Sequence, residues 1–241
     1  EIEAFDAGKV TCVALSRRYG SVLACGGSDG EVNIYSIGNE EPLMVLKAAG
    51  ASGAVKALLF DSSEEMLLVL YKNGQVCLWD LEHVELTRMW KVEGAVAAAI
   101  HPFGICVAVL GTSQIELWDL HRRCLIHLYP LTEKFKTAST LEFSPDGLYL
   151  VCGASELGKA TALVFDLERG SITQTLTNTS DTGAAVCALS FHPTECYLAT
   201  GSTSGKVTIY DFSKFSTLNC PAPQESSPGP IQQLVWSHEG S

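Results

Sequence analysis

An all-β fold of repeated four-stranded blades is what this sequence predicts, on three observations. Five segments end alike, in an alternating apolar run, an aromatic and then usually an aspartate: Val32-Asn33-Ile34-Tyr35-Ser36, Val76-Cys77-Leu78-Trp79-Asp80, Ile115-Glu116-Leu117-Trp118-Asp119, Ala162-Leu163-Val164-Phe165-Asp166 and Val207-Thr208-Ile209-Tyr210-Asp211. Their aromatics recur every 39 to 47 residues. Each interval divides into four runs of period-two alternation bounded by turn residues, one four-stranded antiparallel unit per repeat. Repetition at roughly this period is how a β-propeller is written in sequence.

The pattern resembles WD repeats, whose strand c closes on a Trp-Asp pair. With strands a to d counted from the propeller's centre outward, the first blade reads Val10–Ser16, Val22–Gly26, Val32–Ile37 and Leu43–Lys47. The second reads Val55–Phe60, Met66–Tyr71, Gln75–Leu81 and Leu86–Val92, and the third Val96–Ile100, Ile105–Leu110, Gln114–Leu120 and Cys124–Tyr129. The fourth reads Ser139–Phe143, Tyr149–Ala154, Thr161–Leu167 and Ser171–Thr177; the fifth Ala185–Phe191, Tyr197–Gly201, Lys206–Phe212 and a weak outer strand near Phe215–Asn219. The blades thus occupy 9–48, 49–93, 94–131, 132–180 and 181–220. Residues 1–8, around Ile2–Phe5, read as the closing outer strand of the last blade; 221–241 read as a loop and then strand a of a sixth blade, Ile231–Ser237. With no strands b and c for that blade, the chain reads as a fragment of a six- or seven-bladed ring, because open sheet edges invite aggregation.

The turns have identifiable chemistry. Ser144-Pro145-Asp146-Gly147 joins a to b with a preset φ and a glycine free to take positive φ. His101-Pro102 and His192-Pro193 take the same place, so these histidines read as turn residues, not ligands or bases. Asp29-Gly30, Asn73-Gly74 and Ser204-Gly205 fall between b and c, as hairpins require.

Composition narrows the function classes. A formal charge of −11 opposes nucleic acid and anionic lipid, and no apolar run approaches a membrane-spanning length. The small basic clusters Arg17-Arg18, Arg122-Arg123 and Lys134 with Lys136 read as solvated loop charges. The nine cysteines contain no Cys-x-x-Cys pair and lie mostly in strand patterns, reading as reduced thiols of a cytosolic protein. On that compartment the sequon Asn178-Thr179-Ser180 is idle.

Catalytic motifs do not assemble. Gly201-Ser202-Thr203-Ser204-Gly205-Lys206 imitates a phosphate-binding loop, but Val207 stands where a hydroxyl must follow the lysine, and a strand follows instead of a helix. No nucleophile elbow or His-Glu-x-x-His motif occurs, and the six histidines show no ligand spacing with cysteine. The expectation is a protein without enzymatic activity, cofactor or metal. The blades also lack the Gly-His pair typical of the repeat, and only Asp29 is a well-placed b–c turn aspartate. Apolar packing around the strand c aromatics must compensate.

A narrower resemblance follows. Phe191-His192-Pro193, Leu198-Ala199-Thr200-Gly201-Ser202, Asp211-Phe212-Ser213-Lys214-Phe215 and Pro228-Gly229-Pro230, with Tyr35-Ser36-Ile37 in the first blade, are similar to the WD-repeat regulatory subunits of katanin. The absent Gly-His pairs make this a divergent member. The resemblance implies a targeting subunit for a microtubule-severing ATPase, cytoplasmic and at the cytoskeleton, a centrosome or a basal body. The alternative is another WD-repeat adaptor, such as a ubiquitin-ligase substrate receptor or a ciliary assembly factor. Either way the expected partners are proteins, held by the d–a and b–c connections of one face. The candidate contact residues are Asp29, Lys72, Asn73, Glu93, Glu133, Lys134, Lys136, Glu156, Lys159, Asp181, Thr203 and Ser204.

Overall fold

The computed structural model describes residues 9–16, 21–132, 135, 137–218 and 229–237. Among these residues, twenty strands form five four-stranded sheets, each ordered as the chain runs. The first blade is β1 (Val10–Leu15), β2 (Val22–Gly27), β3 (Val32–Ser36) and β4 (Met44–Leu46); the second is β5 (Val55–Phe60), β6 (Met66–Tyr71), β7 (Gln75–Asp80) and β8 (Glu85–Lys91). The third is β9 (Ala97–Ile100), β10 (Cys106–Leu110), β11 (Gln114–Asp119) and β12 (Leu125–Pro130). The fourth is β13 (Thr140–Phe143), β14 (Tyr149–Glu156), β15 (Lys159–Asp166) and β16 (Ser171–Thr182); the fifth is β17 (Val186–Phe191), β18 (Tyr197–Ser202), β19 (Val207–Asp211) and β20 (Ser216–Leu218). The all-β, bladed class expected from the repeat is what forms. The chain falls into two compact units, residues 1–111 with 118–124, and residues 112–117 with 125–241.

Two expectations need correction. In the fourth blade, β14 continues to Glu156, β15 starts at Lys159 and β16 extends to Thr182, so the outer three strands outrun their apolar pattern. The extension is held by the backbone pairs Ser155 with Ala160, Glu156 with Lys159 and Lys159 with Thr182, which alternation of apolar side chains does not report. Residues 231–237 lie beside β17 but form no ladder, and among the described residues no second strand pairs with them. The expected closing strand at 2–5 lies outside the described residues.

Within the first unit, strand b of the second blade explains its own sequence. Leu67, Val69 and Tyr71 pack into a cluster with Ala24, Val32, Ile34 and Leu46 of the first blade. Leu68 and Leu70 point the other way, toward Val107 and Val109. Both faces are dry, so Met66–Tyr71 is continuously apolar where a one-sided strand would alternate. Arg88 lies over Trp118 (4.7 Å to the ring centre) and near Trp90 (5.8 Å), covering indole surface with a cation. In the second unit, Val151, Ala162, Val164 and Leu176 of the fourth blade meet Leu198, Tyr210 and Phe212 of the fifth. Phe191 packs edge-on against Phe212 at 5.0 Å.

A recurring joint links consecutive blades. In β1, β5 and β17 the register slips by one residue, at Thr11, Lys56 and Cys187, and each extra residue sends its side chain to the next blade. Thr11 Oγ1 donates to Val55 O (2.6 Å), and Cys187 Sγ to Ile231 O (3.1 Å). Ser139, just before β13, makes the same bond to Val186 O (3.0 Å). Lys56 Nζ reaches Ala95 O (3.3 Å). Three of these joints also share a strand b glycine. A Cβ on Gly26 would lie 2.6 Å from Val55 Cγ1, on Gly153 2.7 Å from Val186 Cγ1, and on Gly201 2.6 Å from Ile231 Cγ2. The branched residue that accepts the bond fills the space the glycine leaves. Ile231 therefore stands in the place that Val55 and Val186 take in their blades, where the sequence expects a further strand a.

The aspartate of the Trp-Asp pair works at the c–d turn. Asp80 Oδ1 accepts from His83 N (2.9 Å), Asp119 Oδ1 from Arg122 N (2.6 Å) and Asp166 Oδ1 from Arg169 N (2.9 Å). Asp211 Oδ1 accepts from Ser213 N (3.1 Å) and Ser213 Oγ (2.5 Å), and Lys214 Nζ lies 2.9 Å from Oδ2. A left-handed residue then completes each turn: Val84, Arg123, Gly170 and Phe215. The a–b histidines also serve turns. His101 Nδ1 accepts from Phe103 N (3.2 Å) and His192 Nδ1 from Glu195 N (2.8 Å), and the His192 ring also meets Trp236 edge-on at 4.8 Å.

Two outcomes follow. Gly153→Ala should lower stability by about 1–3 kcal/mol, as overpacking does in well-filled cores, which urea denaturation would measure. Hydrogen bonds from Ser213 and then from Lys214, with the charge of Lys214 adding to them, hold the Asp211 carboxyl down at about 2. Its stabilising effect is therefore present above the ordinary carboxylate value and lost as pH falls toward about 2. Asp211→Asn should reduce the loss of melting temperature between pH 5 and pH 2, checked by thermal scans of both proteins.

Candidate interaction surface

The b–c and d–a connections lie together at one end of each unit. In the first unit, Lys72 N donates to Ala54 O (2.9 Å), Asn73 Nδ2 to Ser52 Oγ (3.3 Å) and Gln75 Nε2 to Gly50 O (2.8 Å). Gly74, at φ 84°, passes so close to Val92 O that no side chain fits. These bonds fix the loops on which Lys72, Asn73 and Glu93 stand exposed. Asp29 is exposed in the β2–β3 turn, where Oδ1 accepts from Glu31 N (3.1 Å). Its carboxylate closes its own turn. Trp79 Nε1 is buried without a hydrogen-bond partner, in keeping with blades that rely on packing.

The second unit departs further from expectation. Glu156 and Lys159 belong to strands and pair across the β14–β15 hairpin, where loop positions were expected. Asp181 is a strand residue of β16, only 2% exposed. Its Oδ1 accepts from Ser204 Oγ (2.7 Å) and lies 3.9 Å from Lys206 Nζ, while Oδ2 is buried with no hydrogen-bond partner. Asp181 thus supports the Ser204 turn from beneath and does not itself face a partner. Burial follows because β16 runs five residues past its apolar pattern and carries Asp181 under the β18–β19 turn. Thr203 and Ser204 are exposed, with Thr203 N donating to Ala185 O (2.9 Å) and Ala185 N to Thr203 Oγ1 (3.1 Å). The phosphate-loop imitation at 201–206 is this hairpin turn. Glu133, Lys134 and Lys136 lie outside the described residues.

Sequence reasoning missed Leu157. It occupies the tip of the β14–β15 hairpin, 87% exposed, at φ 51°, followed by Gly158 at φ 74°. Two successive positive φ values suit a two-residue hairpin turn of the kind that favours Asn-Gly or Asp-Gly. A leucine there costs roughly 1–2 kcal/mol through its Cβ. The signal was present in Glu156-Leu157-Gly158-Lys159, an X-Gly pair between opposite charges, displaced from the expected b–c position by the longer strands.

At the other end of the first unit, a cavity of about 220 Å³ is lined by Val22, Ile34, Leu43, Met44, Phe60 and Leu81, with Ser16 and Glu64. Ser16 Oγ donates to Glu64 Oε2 (2.6 Å), so the lining's carboxylate is already engaged. Among the described residues no group of three or more His, Cys, Asp or Glu could hold a metal ion.

Comparisons with known proteins agree with this architecture. Residues 1–111 match the Vps8 beta-propeller model, and residues 170–211 match the WD domain, G-beta repeat model. The chain is 25% identical to Protein groucho of Drosophila melanogaster, over 89% of this chain and 29% of that protein. It is 27% identical to SEC12-like protein 1 of Arabidopsis thaliana, over 82% of this chain and 50% of the relative. With WD repeat-containing protein 82 of Drosophila melanogaster the identity is 28%, over 78% and 59%. The chain therefore spans less than two thirds of the length of these relatives. None of the three names is a katanin subunit, and the katanin resemblance draws no support from them. The chain is thus similar to WD-repeat proteins and other β-propellers over these stretches, and its five four-stranded sheets have the architecture of propeller blades.

Proposed function

We propose that this chain is a non-catalytic protein–protein interaction scaffold that holds its partners through the b–c and d–a connections of its blades. The observation that carries this reading is the bonding of those connections to one another. Lys72 with Ala54, Asn73 with Ser52 and Thr203 with Ala185 are joined before any partner arrives. Loops set in advance lose little freedom on binding, which leaves more of the contact energy as affinity.

In its finer form the proposal makes the chain the targeting subunit of a katanin-like severing complex, cytoplasmic and at cytoskeletal arrays, centrosomes or basal bodies. That form rests on the Tyr35-Ser36-Ile37 ending, the Lys214-Phe215 step and the Gly229-Pro230 phrase. A second reading is another WD-repeat adaptor, such as a ubiquitin-ligase substrate receptor or a ciliary assembly factor. The match of residues 1–111 to a differently named propeller, that of Vps8, favours it.

Purification of the tagged full-length protein from its own cells, followed by mass spectrometry, tests these readings. Stoichiometric co-purifying proteins are expected. A severing ATPase among them selects the finer form, other assemblies select the adaptor, and no stoichiometric protein at physiological salt removes the scaffold reading. The charge of −11 further predicts that the purified chain will not co-sediment with bare, acidic microtubules at physiological salt. Low-micromolar binding there would contradict the reading in which adaptors bridge it to microtubules.

A further inference from the structure

We infer that Leu157 is a contact anchor, a single apolar side chain that the fourth blade holds out for insertion into an uncharged, leucine-sized recess on a folded protein partner. The inference rests on the scaffold reading above and assigns one residue of its contact surface.

Three features support it. Leu157 has the highest exposure among the large apolar side chains of the described residues that stand out from the surface. Scattered exposed leucines need no explanation, but this one also sits at positive φ, where Asn, Asp or Gly would relax the turn. The site thus keeps an apolar group at the expense of both solvation and backbone strain.

Second, the tip is rigidly held. β14 and β15 pair without interruption up to Glu156 and Lys159, Lys159 pairs with Thr182 of β16, and Gly183 N donates to Gly158 O (2.5 Å). Three strands brace a side chain that touches nothing in the core, so insertion would order little that is not already ordered.

Third, the charge beside the tip is balanced although the whole chain carries −11. Glu156 faces Lys159 across the hairpin, and the Asp181 carboxylate lies beside the Lys206 ammonium at 3.9 Å. Such a surround matches an apolar recess and offers no field to a basic or acidic one. A lipid surface is the weaker match, since one leucine anchors poorly and the net charge repels anionic headgroups.

The test uses the full-length protein and the partner recovered with it, comparing wild type, Leu157→Asn and Leu157→Met for affinity and melting temperature. Asn suits the turn but removes the anchor, whereas Met keeps an apolar side chain. Expected is at least a tenfold rise in Kd for the Asn variant, equivalent to 1.4 kcal/mol, with its melting temperature unchanged or higher. The Met variant should bind within about threefold of wild type, since a volume-conserving apolar swap is tolerated. Wild-type affinity in the Asn variant would overturn the assignment while leaving the scaffold reading intact. A lower melting temperature in the Asn variant would overturn it too, by making the leucine structural. Flotation of wild type, but not the Asn variant, with phosphatidylcholine vesicles would transfer the anchor to a membrane and equally overturn it. If wild type retains no partner, the scaffold reading falls and this inference with it.

Discussion

The interaction on which the rest depends is the joint between consecutive blades, in which a residue at the start of one strand a bonds to the carbonyl that opens the next. A four-stranded sheet cannot bury its faces alone, so each blade is stable only against a neighbour. The joint sets how close that neighbour comes. Thr11 with Val55, Ser139 with Val186 and Cys187 with Ile231 hold the backbones near, and Gly26, Gly153 and Gly201 leave room for the approach. Hydroxyl and thiol serve alike because the geometry comes from the donor's place at the start of strand a, and the chemistry needs only a donor.

A second device sits at the far ends of the strands. The aspartate after the strand c aromatic accepts backbone N–H groups that the turn into strand d would otherwise leave unpaired. The pair therefore combines two tasks on adjacent residues: the aromatic faces a neighbouring cluster while the carboxylate turns the chain. This division lets the b–c turns forgo the aspartate that supports the aromatic in a fuller repeat. The indole of Trp79 is left with an unpaired donor, and the b–c turns are left to vary.

The fold was legible because its signals are local and repeated: the aromatic period, the X-Gly hairpins and the His-Pro turns each report a few consecutive residues. The joints were not. Thr11, Ser139 and Cys187 are unremarkable in sequence, and their role arises only when a residue some 44 to 47 positions away supplies the acceptor. The candidate surface was legible in part. Asp29, Lys72, Asn73, Thr203 and Ser204 are exposed in turns as their Gly neighbours suggested. Asp181 was misplaced because β16 continues through Asn178-Thr179-Ser180, polar residues held by side-chain bonds such as Asn178 Nδ2 to Thr208 Oγ1 (2.8 Å) until Thr182 pairs with Lys159. Leu157 was passed over because a leucine gives no turn signal.

The extended hairpin of the fourth blade follows a rule of parity. From the turn glycine to the strand c aromatic there are five residues at Gly30, Gly74 and Gly205, but seven at Gly158. The difference is two, and side chains alternate with a period of two, so every residue below the insertion keeps the face it had. An odd increment would have turned Ala162 and Val164 away from the cluster they share with the fifth blade. Length in these hairpins can therefore change only in even steps while the core stays as it is. A blade's outward reach and its packing can thus evolve separately.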